Sequence, residues 1–381
     1  MIEASRFVTT LMDLGVELFT GVPDSLLKPL NAEILRRVPR DDHVIGANEG
    51  ACVGLAIGHY LRTGQPGAVY LQNSGFGNVV NPLLSLADPD VYGVPMLLLV
   101  GWRGQPGAKD EPQHVKQGRI MTDLLGALGL PWEVLPTEAD AADACLERAM
   151  ATAQKQHSPY VILIEKGTFE EDAGTVGPAD GPYGDEQASR EEALATVIDA
   201  LGPETINVST TGMLSRELFE LRGATPGSER DFLTVGGMGY ASSIALGVAR
   251  SEPAREVWCL DGDGALLMHL GALAIIADHG PENLFHVVFN NGVHDSVGGQ
   301  PTSIGVVDVP ATARALGYRA AVSTSDLADV PHQVAQLRHT GGPGLLEVRV
   351  LPGNRPGIGR PTRTPAQAKE AFMAALRHET P

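Results

Sequence analysis

Two apolar runs, Val257-Trp258-Cys259-Leu260 and Leu284-Phe285-His286-Val287-Val288-Phe289, limit this chain more than any other feature. The first runs into Gly262-Asp263-Gly264 and the second into Asn290-Asn291. Short unbroken apolar runs followed by helical patterns read as strands buried on both faces, as in a parallel sheet. Adjacent strand ends in such a sheet bring a carboxylate and an amide together beside a helix N-terminus. That combination suits a divalent cation clamping a diphosphate. Taken alone, Gly-Asp-Gly is an ordinary strand-turn-helix. The second strand end, with its pair of asparagines, makes the cation site the better reading.

The same alternation runs through both halves. Strands are expected at residues 18–23, 68–72, 95–100 and 160–164, and again at 205–209, 257–260, 284–289 and 344–350. Helices are expected at 189–201, 265–279 and 365–377. Residues 171–187 are acidic and rich in Gly and Pro, which reads as a linker. The expected organisation is therefore α/β: a domain at 1–170, a linker at 171–187 and a second domain at 188–381, each a parallel sheet flanked by helices. The two halves look like copies of one fold.

Bulk properties narrow the partners. With 28 Lys+Arg against 46 Asp+Glu, the net charge of −18 argues against nucleic acid and against an anionic membrane surface. No apolar run is long enough to span a bilayer. The three cysteines, Cys52, Cys145 and Cys259, are scattered without metal-ligand spacing, which fits a reduced, cytoplasmic protein. Cys52 and Cys259 lie in apolar runs and read as core. No basic and apolar leader opens the chain.

Further residues carry chemistry. Glu49 is a lone carboxylate opening the apolar helical run 49–58, an environment that raises a carboxyl pKa. A helix-opening Glu is also favoured by the dipole alone. Thr210-Thr211-Gly212 follows a strand, and Gly236-Gly237-Met238-Gly239 is a glycine-rich segment. Gly237-Met238-Gly239 lacks the third glycine of a dinucleotide loop. The Gly/Pro-rich segment 101–114 carries Arg103, Lys109 and His114 after a strand, in a loop suited to closing over an anion.

Taken together, Glu49, the Gly262-Asp263-Gly264 triplet and Asn290-Asn291 resemble the thiamine diphosphate (ThDP)-dependent 2-oxo acid decarboxylase family over nearly the whole chain. The resemblance implies two ThDP-binding-type domains without the middle domain of longer members. Segments 21–28 (Gly-Val-Pro-Asp-Ser-Leu-Leu-Lys), 72–78 (Gln-Asn-Ser-Gly-Phe-Gly-Asn) and 290–300 (Asn-Asn-Gly-Val-His-Asp-Ser-Val-Gly-Gly-Gln) resemble its compact branch, which acts on phosphono- and sulfo-substituted pyruvate. The His-His pair of the pyruvate-type enzymes is missing.

By that resemblance Mg2+ is held by Asp263, Asn291 and the carbonyl of Val293. The cofactor is bound by Gly262, Gly264, Ala265, Thr211, Gly212, Gly237 and Met238, with Met238 wedged between its rings. Glu49 hydrogen-bonds the aminopyrimidine ring. Asp24, His114 and His294 are the candidates for proton transfer, beside Glu49 as catalytic acid. Ser25, Arg103, Lys109, His114, His294 and Ser296 are candidates for holding a small anionic 2-oxo acid. The implied reaction is decarboxylation of 3-phosphonopyruvate; sulfopyruvate decarboxylation and, more remotely, carboligation of the acetolactate synthase type are the alternatives. The implied assembly is a homodimer or larger, with each active site between two chains. An Arg-over-Lys, Ala/Gly/Pro-rich composition points to a GC-rich bacterial genome, and with the resemblance to phosphonate natural-product (antibiotic) biosynthesis.

Overall fold

The structure, a computed structural model, describes residues 1–171, 187–223, 225 and 227–377. The chain divides into two compact units, Met1–Gly177 and Pro178–Pro381. Of the linker expected at 171–187, residues 172–186 lie outside the described residues.

Among the described residues the first unit holds six strands: β1 (Phe19–Gly21), β2 (His43–Ile45), β3 (Ala68–Gln72), β4 (Met96–Gly101), β5 (Trp132–Val134) and β6 (Pro159–Ile164). They pair in parallel in the order β2-β1-β3-β4-β6-β5. The second unit holds β7 (Ile206–Ser209), β8 (Asp231–Leu233), β9 (Val257–Gly262), β10 (Leu284–Asn290), β11 (Val293–His294), β12 (Gln300–Pro301), β13 (Ala320–Thr324) and β14 (Gly344–Arg349). Its main sheet is also parallel, in the order β13-β14-β10-β9-β7-β8, and β11 and β12 form a small antiparallel ladder. Read from β8, the second sheet repeats the order of the first strand for strand, so the two units share one topology.

Alternation along each inner strand feeds two cores. In β9, Val257 and Cys259 pack with Ala245 and Leu273, while Trp258 and Leu260 pack on the opposite face with Leu194, Leu218 and Val334. In the first unit, Leu97, Leu99, Ile162 and Ile164 meet Phe7, Leu11, Ile34 and Ala149 of the flanking helices. Burying both faces is what makes these strands read as continuous apolar runs.

One expected element differs. The helix expected at 265–279 is two: Asp263–Met268 and Ala272–His279. His269 leaves the helical region (φ −132°, ψ 46°), and Gly271 caps the second piece. Asp263 is the first residue of the short helix, with Gly262 as its cap. A helix of six residues has little macrodipole, so any anion there depends on local N–H groups rather than on a long dipole.

Candidate functional site

In both sheets the direction of strand addition reverses between the first strand and the third, at β1/β3 and at β7/β9. The crevice at the carboxyl ends beside such a reversal is where open α/β sheets bind ligands. Asp24 and Ser25 follow β1, Thr211 and Gly212 follow β7, and Asp263 follows β9; Arg103 and Asn291 follow the next strands, β4 and β10.

In the second unit, β9 and β10 run side by side, with Gly262 opposite Phe289, so Asp263 and Asn291 follow neighbouring strand ends. Asp263 is buried, its Oδ2 accepts from Thr302 Oγ1 at 2.5 Å, and the backbone N–H groups of Gly264 and Asn291 also donate to it. Burial pushes its carboxyl up to about 7, and these neutral donors only partly oppose that. Asn291 is turned so that Oδ1 accepts from Val293 N at 3.0 Å while Nδ2 donates to Asp295 Oδ2 at 2.6 Å. The His294 ring lies against Gly264, where a Cβ would come within 3.0 Å of Cε1. Burial pulls its imidazole down to about 4, with Asp295 opposing. Ala265, two residues beyond Asp263, is buried, and Ser296 is exposed.

At the end of β7, Gly212 adopts φ 99°, a conformation that favours glycine, and caps the helix Met213–Arg222 beside the half-buried Thr211. Gly237 and the half-buried Met238 follow β8 in an open loop. A second group of potential ligands, Cys259, Asp261 and His286, is buried within this unit. Burial and the Asp261 charge push the Cys259 thiol well up, so it remains a thiol and a core residue.

In the first unit, Glu49 opens the helix Glu49–Thr63 behind the cap Asn48, whose side chain accepts from Gly50 N at 2.8 Å. Glu49 is buried and Asn78 Nδ2 donates to its Oε2 at 2.7 Å. Burial raises its carboxyl, as expected, and Asn78 opposes. Gly75 presses on the other oxygen: a Cβ there would stand 2.1 Å from Oε1.

A polar cluster forms where β1, β3 and β4 end. Asp24 is fully buried, accepts from Gln72 Nε2 at 2.5 Å and from Leu26 N at 2.9 Å, and is raised by burial. Gly101 leaves no room beside it, since a Cβ would lie 2.1 Å from Asp24 Oδ2. Arg103 donates from NH1 to Ser25 Oγ (2.7 Å) and from Nε and NH2 to Asp110 (2.8 and 2.5 Å). Burial works to raise Asp110, but Arg103 and the N–H groups of Gly104 and Glu111 hold it well below the usual carboxylate range. His114 is buried, with Nδ1 unpaired, and is lowered by burial and by Arg103. Asp24, Ser25, Arg103 and His114 are thus gathered on the ends of β1 and β4 and the helix that follows. Lys109 is exposed and stands outside this hydrogen-bonded group.

Comparison with known proteins decides the family. Residues 3–125 match the thiamine pyrophosphate enzyme N-terminal TPP binding domain, and residues 210–348 match the thiamine pyrophosphate enzyme C-terminal TPP binding domain. The chain belongs to the thiamine pyrophosphate enzyme family. It is 38% identical to the phosphonopyruvate decarboxylase of Streptomyces viridochromogenes, over 98% of this chain and 95% of that protein. It is also 38% identical to that of Streptomyces hygroscopicus, over 98% and 93%. A sulfopyruvate decarboxylase of Methanosarcina acetivorans is 27% identical over 97% of each chain.

The residues present fit what a thiamine pyrophosphate enzyme must hold. Asp263 is a buried carboxylate whose neighbours are neutral donors, which is costly until a cation arrives. Gly262 and Gly212 have no protein atom within 4 Å of a would-be Cβ, leaving their backbones open to a ligand. Sequence reasoning missed Thr302 and Arg190, which reach the site from distant segments without a motif, and Asp295, which lies within the segment 290–300 but whose spacing assigned it no partner. Asn78 and Gln72 lay within the segment 72–78 that carried the resemblance, but nothing in their spacing assigned them a partner.

Proposed function

We propose that the chain is a ThDP- and Mg2+-dependent carboxy-lyase that converts 3-phosphonopyruvate to phosphonoacetaldehyde and carbon dioxide. The observation that carries it is end-to-end similarity, at 38% identity, to two phosphonopyruvate decarboxylases, against 27% to a sulfopyruvate decarboxylase. Bound ThDP supplies the electron sink that loss of carbon dioxide from a 2-oxo acid requires. Asp263, Asn291 and the Val293 carbonyl hold the cation, a hard oxygen set suited to Mg2+. Gly262, Gly264, Ala265, Thr211, Gly212 and Gly237 flank the diphosphate, and Met238 supports the rings. Burial raises the Glu49 carboxyl and so favours its protonated form, and Glu49 hydrogen-bonds the aminopyrimidine.

Arg103 is the half-buried cation of the substrate cluster, and Ser25 lies against it. A guanidinium matches a phosphonate better than an ammonium does, because its fork donates two parallel bonds. Lys109 and Ser296, both exposed, are the outer candidates for anion contact. Asp24, raised by burial, holds a proton at neutral pH more readily than a surface carboxyl. His114 and His294 are lowered and stay neutral there. These three are the candidates for delivering the product proton.

The chain is read as a cytoplasmic homodimer or larger, acting on a small-molecule 2-oxo acid in an antibiotic-type phosphonate pathway. Three buried free cysteines support a reducing compartment, and no described helix is long and apolar enough to cross a membrane. Leu55 and Leu61, 42% and 72% exposed on the helix that begins at Glu49, support a partner copy there. The test is to incubate purified protein with ThDP and Mg2+, offer phosphonopyruvate, sulfopyruvate and pyruvate separately, and quantify each aldehyde. Preferential turnover of sulfopyruvate or pyruvate would overturn the substrate assignment.

A further inference from the structure

An amide ligand offers a cation its oxygen; the nitrogen end of the same group repels it. Which end of Asn291 faces inward must therefore be fixed from behind. In the C-terminal unit Asn291 Nδ2 donates to Asp295 Oδ2 at 2.6 Å, and Oδ1 is left on the side of the Val293 backbone. Asp295 is in turn immobilised. Its Oδ2 also accepts from Arg190 NH1 at 2.8 Å, and its Oδ1 accepts from Gly353 N at 3.0 Å. Arg190 is gripped by Glu217, with Nε and NH2 each donating at 2.8 Å to separate carboxylate oxygens. The side chains of Arg190, Glu217 and Asp295 are 8%, 1% and 8% exposed, so little solvent competes.

Four segments meet in this array. Arg190 is the first residue of the helix Arg190–Leu201, entered through a Ser189/Glu192 capping box; Glu217 lies in the helix Met213–Arg222. Asp295 follows β11, and Gly353 follows β14. Two carboxylates face one guanidinium, leaving one net negative charge behind the amide. Together with Asp263 that makes two formal charges around Asn291, which a divalent cation balances.

We propose that Asp295, anchored by the buried Arg190–Glu217 pair, is a positioning residue that orients the Asn291 amide toward the cation and adds a negative charge behind it. This rests on the reading above that Asp263 and Asn291 hold the metal. Outer-shell partners of this kind change metal affinity by about 10- to 100-fold when replaced.

The experiment titrates Mn2+ into the full-length protein with saturating ThDP and counts free Mn2+ by electron paramagnetic resonance. Wild type, Asp295→Asn and the swapped double variant Asp295→Asn/Asn291→Asp are compared, with the melting temperature of each metal-free protein recorded. Asp295→Asn removes the negative charge behind the amide and leaves one of the donors Asn291 Nδ2, Arg190 NH1 and Gly353 N facing an amide nitrogen, and should weaken Mn2+ about 10- to 100-fold. In the double variant a carboxylate at 291 presents oxygen from either end, and binding should return to within a few-fold of wild type. A merely structural staple predicts a lowered melting temperature with no rescue of affinity. Unchanged affinity in the folded Asp295→Asn protein overturns the proposal. If that variant does not fold, the double variant decides: near-wild-type binding supports the proposal, and loss of binding overturns it. Failure of wild type itself to bind Mn2+ with ThDP would instead overturn the metal-site reading on which it rests.

Discussion

Replacing Gly75 with alanine points a methyl group at the acid expected to work on the cofactor ring. Gly75 sits in right-handed helical geometry (φ −82°, ψ −5°), which alanine adopts without strain, so any effect is steric. The added Cβ would stand 2.1 Å from Glu49 Oε1, 2.5 Å from Cδ and 2.9 Å from Cγ. Ordinary contact begins near 3.4 Å, so the carboxylate must retreat by about 1.3 Å, the difference between 3.4 and 2.1. Glu49 is buried and tied to Asn78 at 2.7 Å, so it cannot simply swing into water. Misplacing a reacting group by about 1 Å costs roughly 100-fold in rate. Forcing a side chain off its rotamer, with one strained hydrogen bond, costs about 1–3 kcal/mol of stability. The expected signature is therefore a kcat down about 100-fold in a protein destabilised by only about 2 kcal/mol. Gly126→Ala is the control: it lies in the helix Pro112–Ala127 with nothing within 4 Å of a Cβ. That change should stabilise by about 0.5–1 kcal/mol and leave turnover intact. Steady-state decarboxylation and urea unfolding of the cofactor-free proteins read both effects. Wild-type kcat in the folded Gly75→Ala protein would refute the placement of Glu49.

Glu49→Gln should nearly abolish turnover while sparing fold and ThDP binding; unchanged turnover would sink the role of Glu49. Because burial raises this carboxyl, its contribution to stability is full at acid pH and lost as pH rises through the raised value, so the glutamine variant should gain on wild type with increasing pH in urea melts. Arg103→Lys keeps the charge but loses the fork, and KM for phosphonopyruvate should rise about 10- to 100-fold while any residual handling of pyruvate changes little; an equal loss on both substrates would remove Arg103 from anion recognition. His43 pairs with the Tyr70 hydroxyl at 2.8 Å and is pulled by burial from 6.5 to about 4, so wild type should lose roughly 3 kcal/mol as pH falls across that window. His43→Gln should lack that component, and parallel pH–stability curves for the two proteins would contradict it.

The apolar runs correspond to the eight inner strands β1, β3, β4, β6, β7, β9, β10 and β14, because a strand covered on both faces cannot hide its character. Besides β11 and β12 of the small ladder, the strands left unread are β2, β5, β8 and β13, the four edges of the two main sheets. They are only three to five residues long and mostly half-buried, so they carry neither an apolar run nor a clean alternation. The helix that begins at Pro365 was legible in the sequence, whereas the break at His269 was not, since nothing local forbids a helix there.

At the site, the chain itself determined the chemistry available: Glu49 in an apolar run, and Asp263 and Asn291 at the ends of two buried strands, are local facts of residue type and neighbour. Which groups stand behind them was decided only on folding. Thr302 on Asp263, Arg190 on Asp295, and Asn78 on Glu49 come from segments remote in sequence, while Asp295 stands only four residues beyond Asn291, and each is held by burial and a hydrogen bond rather than by spacing. The physical reason is the range of the forces involved. Strand and helix patterning is read within a few residues, while the orientation of a buried polar group depends on whichever distant donors and acceptors the packed core brings within 3 Å.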